Sequence, residues 1–141
     1  MPTRNAEATW EGTLQGGKGS YKAESGSVGG AYSFGTRFGD TRGSNPEELL
    51  AAAHAACFSM ALSGQIEKVG GTPESVTTDA ACTVEKVGQG FKITTMELRT
   101  RARVSGIDDA KFQEAAQNAK TGCPVSQALA GVDIKLDAAL E

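Results

Sequence analysis

The segment Asn45 to Leu62, NPEELLAAAHAACFSMAL, limits most strongly how this chain folds. It opens with the signals of a helix start, because Asn45 suits the N-cap, Pro46 the first helical position and Glu48 the third. Almost all the residues after these are apolar. We expect one long helix that ends near Val69, before the two glycines that follow.

This helix lacks the polar face that a surface helix needs. Between Leu49 and Leu62 only His54 and Ser59 interrupt the apolar residues. A single small sheet covers one side of a helix, so the other sides need a different cover. The simplest cover is a second copy of the chain, and we predict a homodimer with this helix at its centre.

The chain before the helix indicates short strands joined by glycine-rich turns. ATWEG alternates, GGKGSYKAESG has turn signals on both sides, and AYSFGTRFGD alternates aromatic with small or polar residues. Many of the 18 glycines of the chain lie in this part, which suits tight hairpins.

The chain after the helix indicates a long antiparallel hairpin and two further helices. SVTTDAACTVEKV and FKITTMELRTRARV are rich in strand formers, and we place their turn at Gln89-Gly90. Asp108 or Asp109 suits the N-cap of a helix through DDAKFQEAAQNAK, a short helix begins at Cys123-Pro124, and VDIKLDAAL forms a last strand. This order predicts an α+β fold with an antiparallel sheet.

Length and charge restrict the function classes. A chain of 141 residues predicts one domain, residues 1–141. A net charge of -3 and a pI near 5.2 argue against nucleic-acid or anionic-membrane partners, which need a basic face. The run from Leu49 to Leu62 is shorter than a bilayer span, and no signal peptide opens the chain. We therefore expect a soluble cytoplasmic protein without a membrane partner.

Two of the three cysteines lie in contexts of opposite meaning. Cys82 alternates with Ala80 and Val84 on one side of a predicted strand, which is typical of a small buried residue. Cys123 directly precedes Pro124 and suits the N-cap of a helix, where amide groups favour a thiolate. On this pattern, Cys123 is either a redox-active thiol or a weak helix cap.

Cys57 lies in the middle of the apolar helix, so the sequence leaves it open as a core residue or a reagent. Burial alone raises the pKa of a thiol, and a reactive Cys57 therefore needs a cation from elsewhere. His54 is on the same helix face and is either a dyad partner or a satisfied core residue. A metal site of Cys57, His54 and Cys123 is a rival reading, although the usual ligand spacings are absent.

Arg37 and Arg42 are the candidate cations, in FGTRFGDTRG just before the helix, unless both are solvated loop charges. Either arginine needs a carboxylate to orient it, and Glu47 or Glu48 can supply one. At about 100° per residue, Glu47 lies roughly 80° from Cys57 around the helix axis and Glu48 roughly 180° away. The geometry favours Glu47.

With these segments assembled, the sequence resembles the family of osmotically inducible protein C and organic hydroperoxide resistance proteins (OsmC/Ohr). The matching segments are ATWEG, GKGS followed by ES, FGTRF, NPEELLAAAHAACFSMAL and KTGCPVSQAL, in the family's order over nearly the whole chain. The position of the arginine within FGTRF, rather than near the start of the chain, resembles the OsmC branch of the family and not the Ohr branch.

The resemblance implies an antiparallel sheet wrapped on a long central helix, in an intertwined homodimer with active sites at its interface. It also implies a cysteine-based peroxidase for organic hydroperoxides. Cys57 is then the peroxidatic cysteine and Cys123 the resolving cysteine, joined as a disulfide during turnover. Arg37 activates the thiolate and Glu47 is its carboxylate partner.

Further expectations concern the partners of this chemistry. An external dithiol reduces the disulfide, and in the family this can be a lipoyl group on a carrier protein. Apolar walls that include Phe58, Met60 and Phe38 would favour organic hydroperoxides over hydrogen peroxide. No metal, flavin or haem cofactor is required, and the family name points to osmotic and oxidative stress. A non-enzymatic protein that binds an apolar ligand at the dimer interface is the other rival reading.

Overall fold

The structure is a computed structural model that describes residues 1–141. The chain divides into two compact units, Met1–Leu49 and Leu50–Glu141. Together they contain two three-stranded sheets and four helices, which confirms the α+β class.

The first unit contains an antiparallel sheet and a short helix. The strands β1 (Ala6–Glu11), β2 (Lys18–Ala23) and β3 (Gly29–Tyr32) pair in sequence order. The helix α1 (Phe34–Phe38) replaces the strand expected over FGTRF. Ser33 and Thr36 explain the difference, because their side chains form a reciprocal capping box at its start.

Helix α2 (Pro46–Lys68) confirms the predicted long helix. The Asn45 side chain accepts a hydrogen bond from the Glu48 amide at 2.8 Å, as expected for the N-cap. With 23 residues, α2 is longer than its apolar run. By length and composition alone it would be able to cross a membrane, contrary to the sequence-based expectation, although an apolar core helix of a soluble protein meets the same test.

The second unit contains a mixed sheet. The strands β4 (Thr72–Val87) and β5 (Gly90–Ser105) form the predicted antiparallel hairpin. Its two-residue turn is Gly88-Gln89, one residue earlier than predicted, because Gly88 adopts the positive φ of 62° that the first position of a type II′ turn requires.

The last strand is the main correction to the predicted fold. After α3 (Asp109–Gly122) and α4 (Pro124–Ala128), the strand β6 (Asp133–Leu140) pairs with β5 in parallel. The prediction of a wholly antiparallel sheet was therefore wrong. Two helices between β5 and β6 provide the long crossover that a parallel pair needs.

The core of the second unit lies between helices and sheet. Helix α2 contributes a buried stripe at every fourth residue, and α3 contributes a second stripe that begins at Phe112. Cys82 is half-buried and packs against this core, as its strand pattern indicated. The fully buried apolar side chains are Phe58, Leu62, Ile66, Met96, Leu98, Ala102, Phe112, Ala115, Ala116, Ala119 and Cys123.

Candidate active site

The second unit brings Cys57 and Cys123 together. Both thiols are free, and their Sγ atoms lie 2.8 Å apart. Cys57 is half-buried in the middle of α2, whereas Cys123 is fully buried at the residue that links α3 to α4. Two sulfurs at this separation need little movement to form a disulfide.

The two thiols differ in acidity. Burial raises the pKa of Cys57, contact with Cys123 raises it further, and the Val125 amide offsets part of the rise. Burial also opposes ionisation of Cys123, but the nearby Cys57 thiol, the amide and hydroxyl of Ser126 and the Val125 amide outweigh it and lower the pKa of Cys123. Either thiol can donate across the 2.8 Å contact. The surroundings of the two sulfurs therefore favour the thiolate of Cys123 over that of Cys57.

Cys123 is the N-cap residue of α4, as predicted, but its sulfur makes no geometrically complete cap hydrogen bond. The neighbouring amides are nevertheless close enough to favour its thiolate. Cys123 is therefore a weak helix cap, and its lowered pKa says more about its chemistry than the cap does.

His54 lies one turn before Cys57 on α2 but does not pair with it. Its Nε2 lies 2.7 Å from Ser126 Oγ, and its Nδ1 is buried without a hydrogen-bond partner. Burial lowers the pKa of His54. The direct Cys–His dyad is therefore absent. No group of three or more histidine, cysteine or carboxylate side chains has a metal-binding arrangement either.

The first unit pairs Arg37 with Glu47. Arg37 Nε lies 3.0 and 3.2 Å from the two carboxylate oxygens of Glu47, and its Nη2 lies 2.8 Å from Oε1. The Glu47 side chain is buried, and the Arg37 side chain is 36% exposed. This bidentate pair is the contact that the helix geometry favoured over Glu48. Arg42 and Glu48 are exposed.

Asn45 organises this ion pair from both ends of its amide. Its Oδ1 caps α2, and its Nδ2 donates to the Thr36 carbonyl of α1 at 2.9 Å. One side chain therefore ties the helix that carries Arg37 to the helix start that carries Glu47. Sequence reasoning identified the cap but missed the second bond, which has no local signal.

An aromatic pocket of about 210 Å³ lies beside Arg37 in the first unit. Trp10 and Tyr32 lie on the strands on either side of Gly19, and the centroids of their rings are 5.5 Å apart. A Cβ at Gly19 would lie only 2.5 Å from the Tyr32 ring. The pocket is lined by Trp10, Leu14, Tyr32, Ser33, Phe34, Arg37 and Phe38.

The structure corrects part of the predicted apolar wall. Phe38 lines the pocket and lies 4.9 Å beneath the Arg37 guanidinium. Phe58, in contrast, is fully buried in the core, because it belongs to the inward stripe of α2, and Met60 is 81% exposed. The aromatic residues Trp10, Tyr32 and Phe34 were missed, because the register of three strands and the start of α1 bring them together.

Comparison with known proteins gives the family. Residues 39–137 match the family model described as OsmC-like protein. The chain is 47% identical to peroxiredoxin OsmC of Escherichia coli strain K12 over 95% of this chain and 94% of that protein. It is 34% identical to the organic hydroperoxide resistance protein of Xanthomonas axonopodis pv. citri strain 306, over 67% of this chain and 66% of that protein.

Solved structures agree with this family. An organic hydroperoxide resistance protein from Elizabethkingia anophelis matches with a TM-score of 0.77 and 26% identity, over 100% of this chain and 98% of that one. OhrB of Bacillus subtilis matches with a TM-score of 0.70 and 27% identity, over 96% and 98%. The chain therefore belongs to the OsmC/Ohr family and is more similar to its OsmC branch.

Proposed function

We propose that this protein is a thiol-dependent peroxidase that reduces organic hydroperoxides to alcohols. The observation that carries the proposal is the 2.8 Å separation of two free sulfurs, Cys57 and Cys123. The relatives named peroxiredoxin OsmC and organic hydroperoxide resistance protein support the same chemistry. As expected from the resemblance, Cys57 is the peroxidatic cysteine and Cys123 the resolving one.

In the first step, Cys57 thiolate attacks the terminal oxygen of ROOH. An S–O bond forms, the O–O bond breaks, and the alkoxide takes up a proton to leave as the alcohol. Cys57 becomes a sulfenic acid. The half-buried position of Cys57 supports its role as the sulfur that meets substrate, because Cys123 is fully buried.

The first step needs a cation, because burial and Cys123 raise the pKa of Cys57 within its own unit. We assign this role to Arg37, which stabilises the thiolate and the charge that develops on the breaking O–O bond. Glu47 holds the guanidinium by its bidentate contact, and so fixes direction as well as charge.

In the second step, Cys123 attacks the Cys57 sulfenic acid, a disulfide forms and water leaves. An external dithiol then reduces the disulfide by exchange. A lipoyl group on a carrier protein is the reductant that we propose. The chemistry requires no metal, flavin or haem.

The aromatic pocket beside Arg37 supports a preference for organic hydroperoxides. Its ring-lined wall offers apolar contact, and each buried CH₂ of a substrate contributes about 0.8 kcal/mol. Hydrogen peroxide has no such group and would gain nothing there.

The exposed surface of α2 supports the proposed homodimer. Ala52, Ala53, Ala56 and Met60 lie on one side of the helix and are exposed in the single chain. We propose that a second copy covers this apolar side, that the two units act as a single domain in the intertwined dimer, and that its active sites lie at the interface. A monomer in sedimentation equilibrium at micromolar concentration would contradict this arrangement.

We further propose a cytoplasmic protein that protects against oxidative and osmotic stress. A reducing compartment keeps its cysteines available as thiols between turnovers. Growth of a deletion strain in cumene hydroperoxide and in high salt, with and without the restored gene, tests this role.

The deciding experiment is peroxide consumption with dihydrolipoamide as reductant, for the wild type, Cys57→Ser and Cys123→Ser. We expect the wild type to prefer cumene hydroperoxide to hydrogen peroxide. Cys57→Ser should be inactive, and Cys123→Ser should consume one equivalent and then stop. Cys82→Ser is the matched control and should behave as the wild type. Equal activity of all four proteins would refute the peroxidase and favour the binding-protein reading.

A further inference from the structure

The peroxidase chemistry leaves one buried pair of side chains unused, His54 and Ser126. His54 is fully buried and Ser126 is 5% exposed, and they make the 2.7 Å contact described above. Their helices also carry the two cysteines. His54 and Cys57 are three residues apart on α2, and Cys123 and Ser126 are three residues apart at the start of α4.

These spacings give two contacts between α2 and the start of α4, and the two contacts lie one helical turn apart. Residues three apart on a helix lie on the same face, so both pairs face each other across the same seam. One contact joins Cys57 to Cys123 at 2.8 Å, and the other joins His54 to Ser126 at 2.7 Å. The second contact therefore fixes the position of α4 along α2, and with it the position of the resolving sulfur.

We propose that Ser126 acts in the disulfide-forming step by donating its hydroxyl hydrogen to the Cys123 thiolate, and that His54 is the positioning residue that directs this hydroxyl. The proposal rests on the peroxidase function proposed above. It deepens that function by assigning the residues that prepare Cys123 for attack.

The direction of the hydrogen bonds follows from the unpartnered His54 nitrogen. A hydrogen on Nδ1 would be a buried donor without an acceptor, which costs more than an unused lone pair. The hydrogen therefore belongs on Nε2, which donates to Ser126 Oγ. The Ser126 hydroxyl hydrogen is then left for Cys123, the N-cap three residues earlier, whose sulfur forms the neighbouring contact of the same seam.

The reaction balances without another reagent. The electron pair of Cys123 Sγ forms the S–S bond, and the S–O bond of the Cys57 sulfenic acid breaks. The leaving hydroxide takes up the proton that the Cys123 thiol has lost, and departs as water. Cys123 is oxidised and the Cys57 sulfur is reduced.

The test separates the two chemical steps. Reduced protein receives one equivalent of cumene hydroperoxide, the reaction is quenched at short times, and mass spectrometry counts Cys57 sulfenic acid and Cys57–Cys123 disulfide. We expect Ser126→Ala and His54→Met to slow disulfide formation about tenfold, as for loss of a hydrogen bond to a charged group. The sulfenic acid should then accumulate.

Matched variants distinguish positioning from packing. His54→Gln keeps an N–H donor, and Ser126→Thr keeps the hydroxyl, so both should recover most of the rate. Ser59→Ala removes another hydroxyl of α2, which donates to Thr78 at 2.8 Å, and should leave disulfide formation unchanged. Wild-type disulfide rates in both Ser126→Ala and His54→Met would overturn the proposal and leave the peroxidase function intact.

The wild type offers a direct test that needs no variant. The chain has a single histidine, so imidazole 15N NMR shifts report His54 alone. We expect the Nε2–H tautomer in the reduced protein. The Nδ1–H tautomer would overturn the proposed direction even if the variants failed to fold. Absence of any Cys57–Cys123 disulfide in the peroxide-treated wild type would overturn the peroxidase function and this proposal together.

Discussion

The Arg37–Glu47 pair and the Cys57–Cys123 pair are assembled in different ways. The ion pair joins residues ten apart, across one loop and one helix cap. The cysteines are 66 residues apart, and the β4–β5 hairpin and α3 lie between them in the chain. The charge is therefore organised locally, whereas the redox pair depends on the tertiary structure of the second unit.

The two pairs also differ in their contact with solvent. The Arg37 side chain is partly exposed, so solvent screens part of its interaction with the buried Glu47. Cys123 is fully buried beside core residues of α3. We therefore expect substitutions at the ion pair to lower activity, and substitutions in the buried core around the cysteines to lower the free energy of unfolding.

Phe58→Ala should have the largest effect, a loss of about 3–5 kcal/mol in the free energy of unfolding, because it empties a fully buried site in the core. Phe38→Ala is the matched change at the pocket. It should destabilise much less and reduce the preference for cumene hydroperoxide over hydrogen peroxide. Urea unfolding and peroxide consumption measure the two effects. Equal destabilisation by both variants would remove the contrast between the regions.

Arg37→Met should lower kcat/KM for cumene hydroperoxide about 10²- to 10³-fold, as does loss of a group that stabilises transition-state charge. Arg37→Lys keeps the charge but loses the bidentate fork, so its loss should be intermediate. Arg42→Met removes an exposed arginine nearby and serves as the control. Similar rates in Arg37→Met and Arg42→Met would exclude Arg37 as the activating cation.

Glu47→Gln should lower kcat/KM about tenfold, because the neutral amide orients the guanidinium less firmly than a bidentate carboxylate does. If Glu47 acts only through Arg37, the same change should have little further effect in the Arg37→Met background. A double-mutant cycle measures this coupling. Additive losses would show that Glu47 has a separate role.

Substitutions of Asn45 separate its two functions, the capping of α2 and the hydrogen bond that ties α1 to the start of α2 (the clamp). Asn45→Ala removes both hydrogen bonds and should cost about 1 kcal/mol of stability, typical for loss of an N-cap. Asn45→Asp keeps the cap but lacks the donor to Thr36, so it should keep stability and lose part of the activity. Thermal unfolding and peroxide consumption test the pair. Full activity in Asn45→Asp would show that the clamp is dispensable.

The smallest effect should be a pH dependence of stability from His54. Burial lowers its pKa below the usual 6.5, so the unfolded chain binds the proton more readily. The contribution of neutral His54 is therefore complete above about pH 6.5 and is lost as the pH falls through the folded pKa. Urea unfolding between pH 7.5 and 5.5 should show this slope in the wild type and not in His54→Gln. The same slope in both would assign it to other groups.

Much of the local structure could be predicted from short segments. The N-cap at Asn45, the hairpin and the start of α3 at Asp108 depend on a few consecutive residues, and the structure confirms them. The same class of signal explains the missed helix α1, because the capping residues Ser33 and Thr36 were present in the sequence. Alternation of aromatic residues had suggested a strand instead.

The candidate site divides in the same way. Helix periodicity alone favoured Glu47 over Glu48 as the partner of Arg37, and that contact is present, while its catalytic role stays a prediction. Periodicity also placed His54 on the face of Cys57. It gave no sign of Ser126, whose contact with His54 spans 72 residues.

The sequence by itself determined where the helices and the long hairpin form, because capping groups, turn glycines and apolar periodicity act over a few residues. Only the tertiary structure decided the parallel pairing of β6, the burial of Phe58 and the approach of Cys123 and Ser126 to α2. These features join residues far apart in the chain. Their partners are selected by the packing of one shared core, which no short segment encodes.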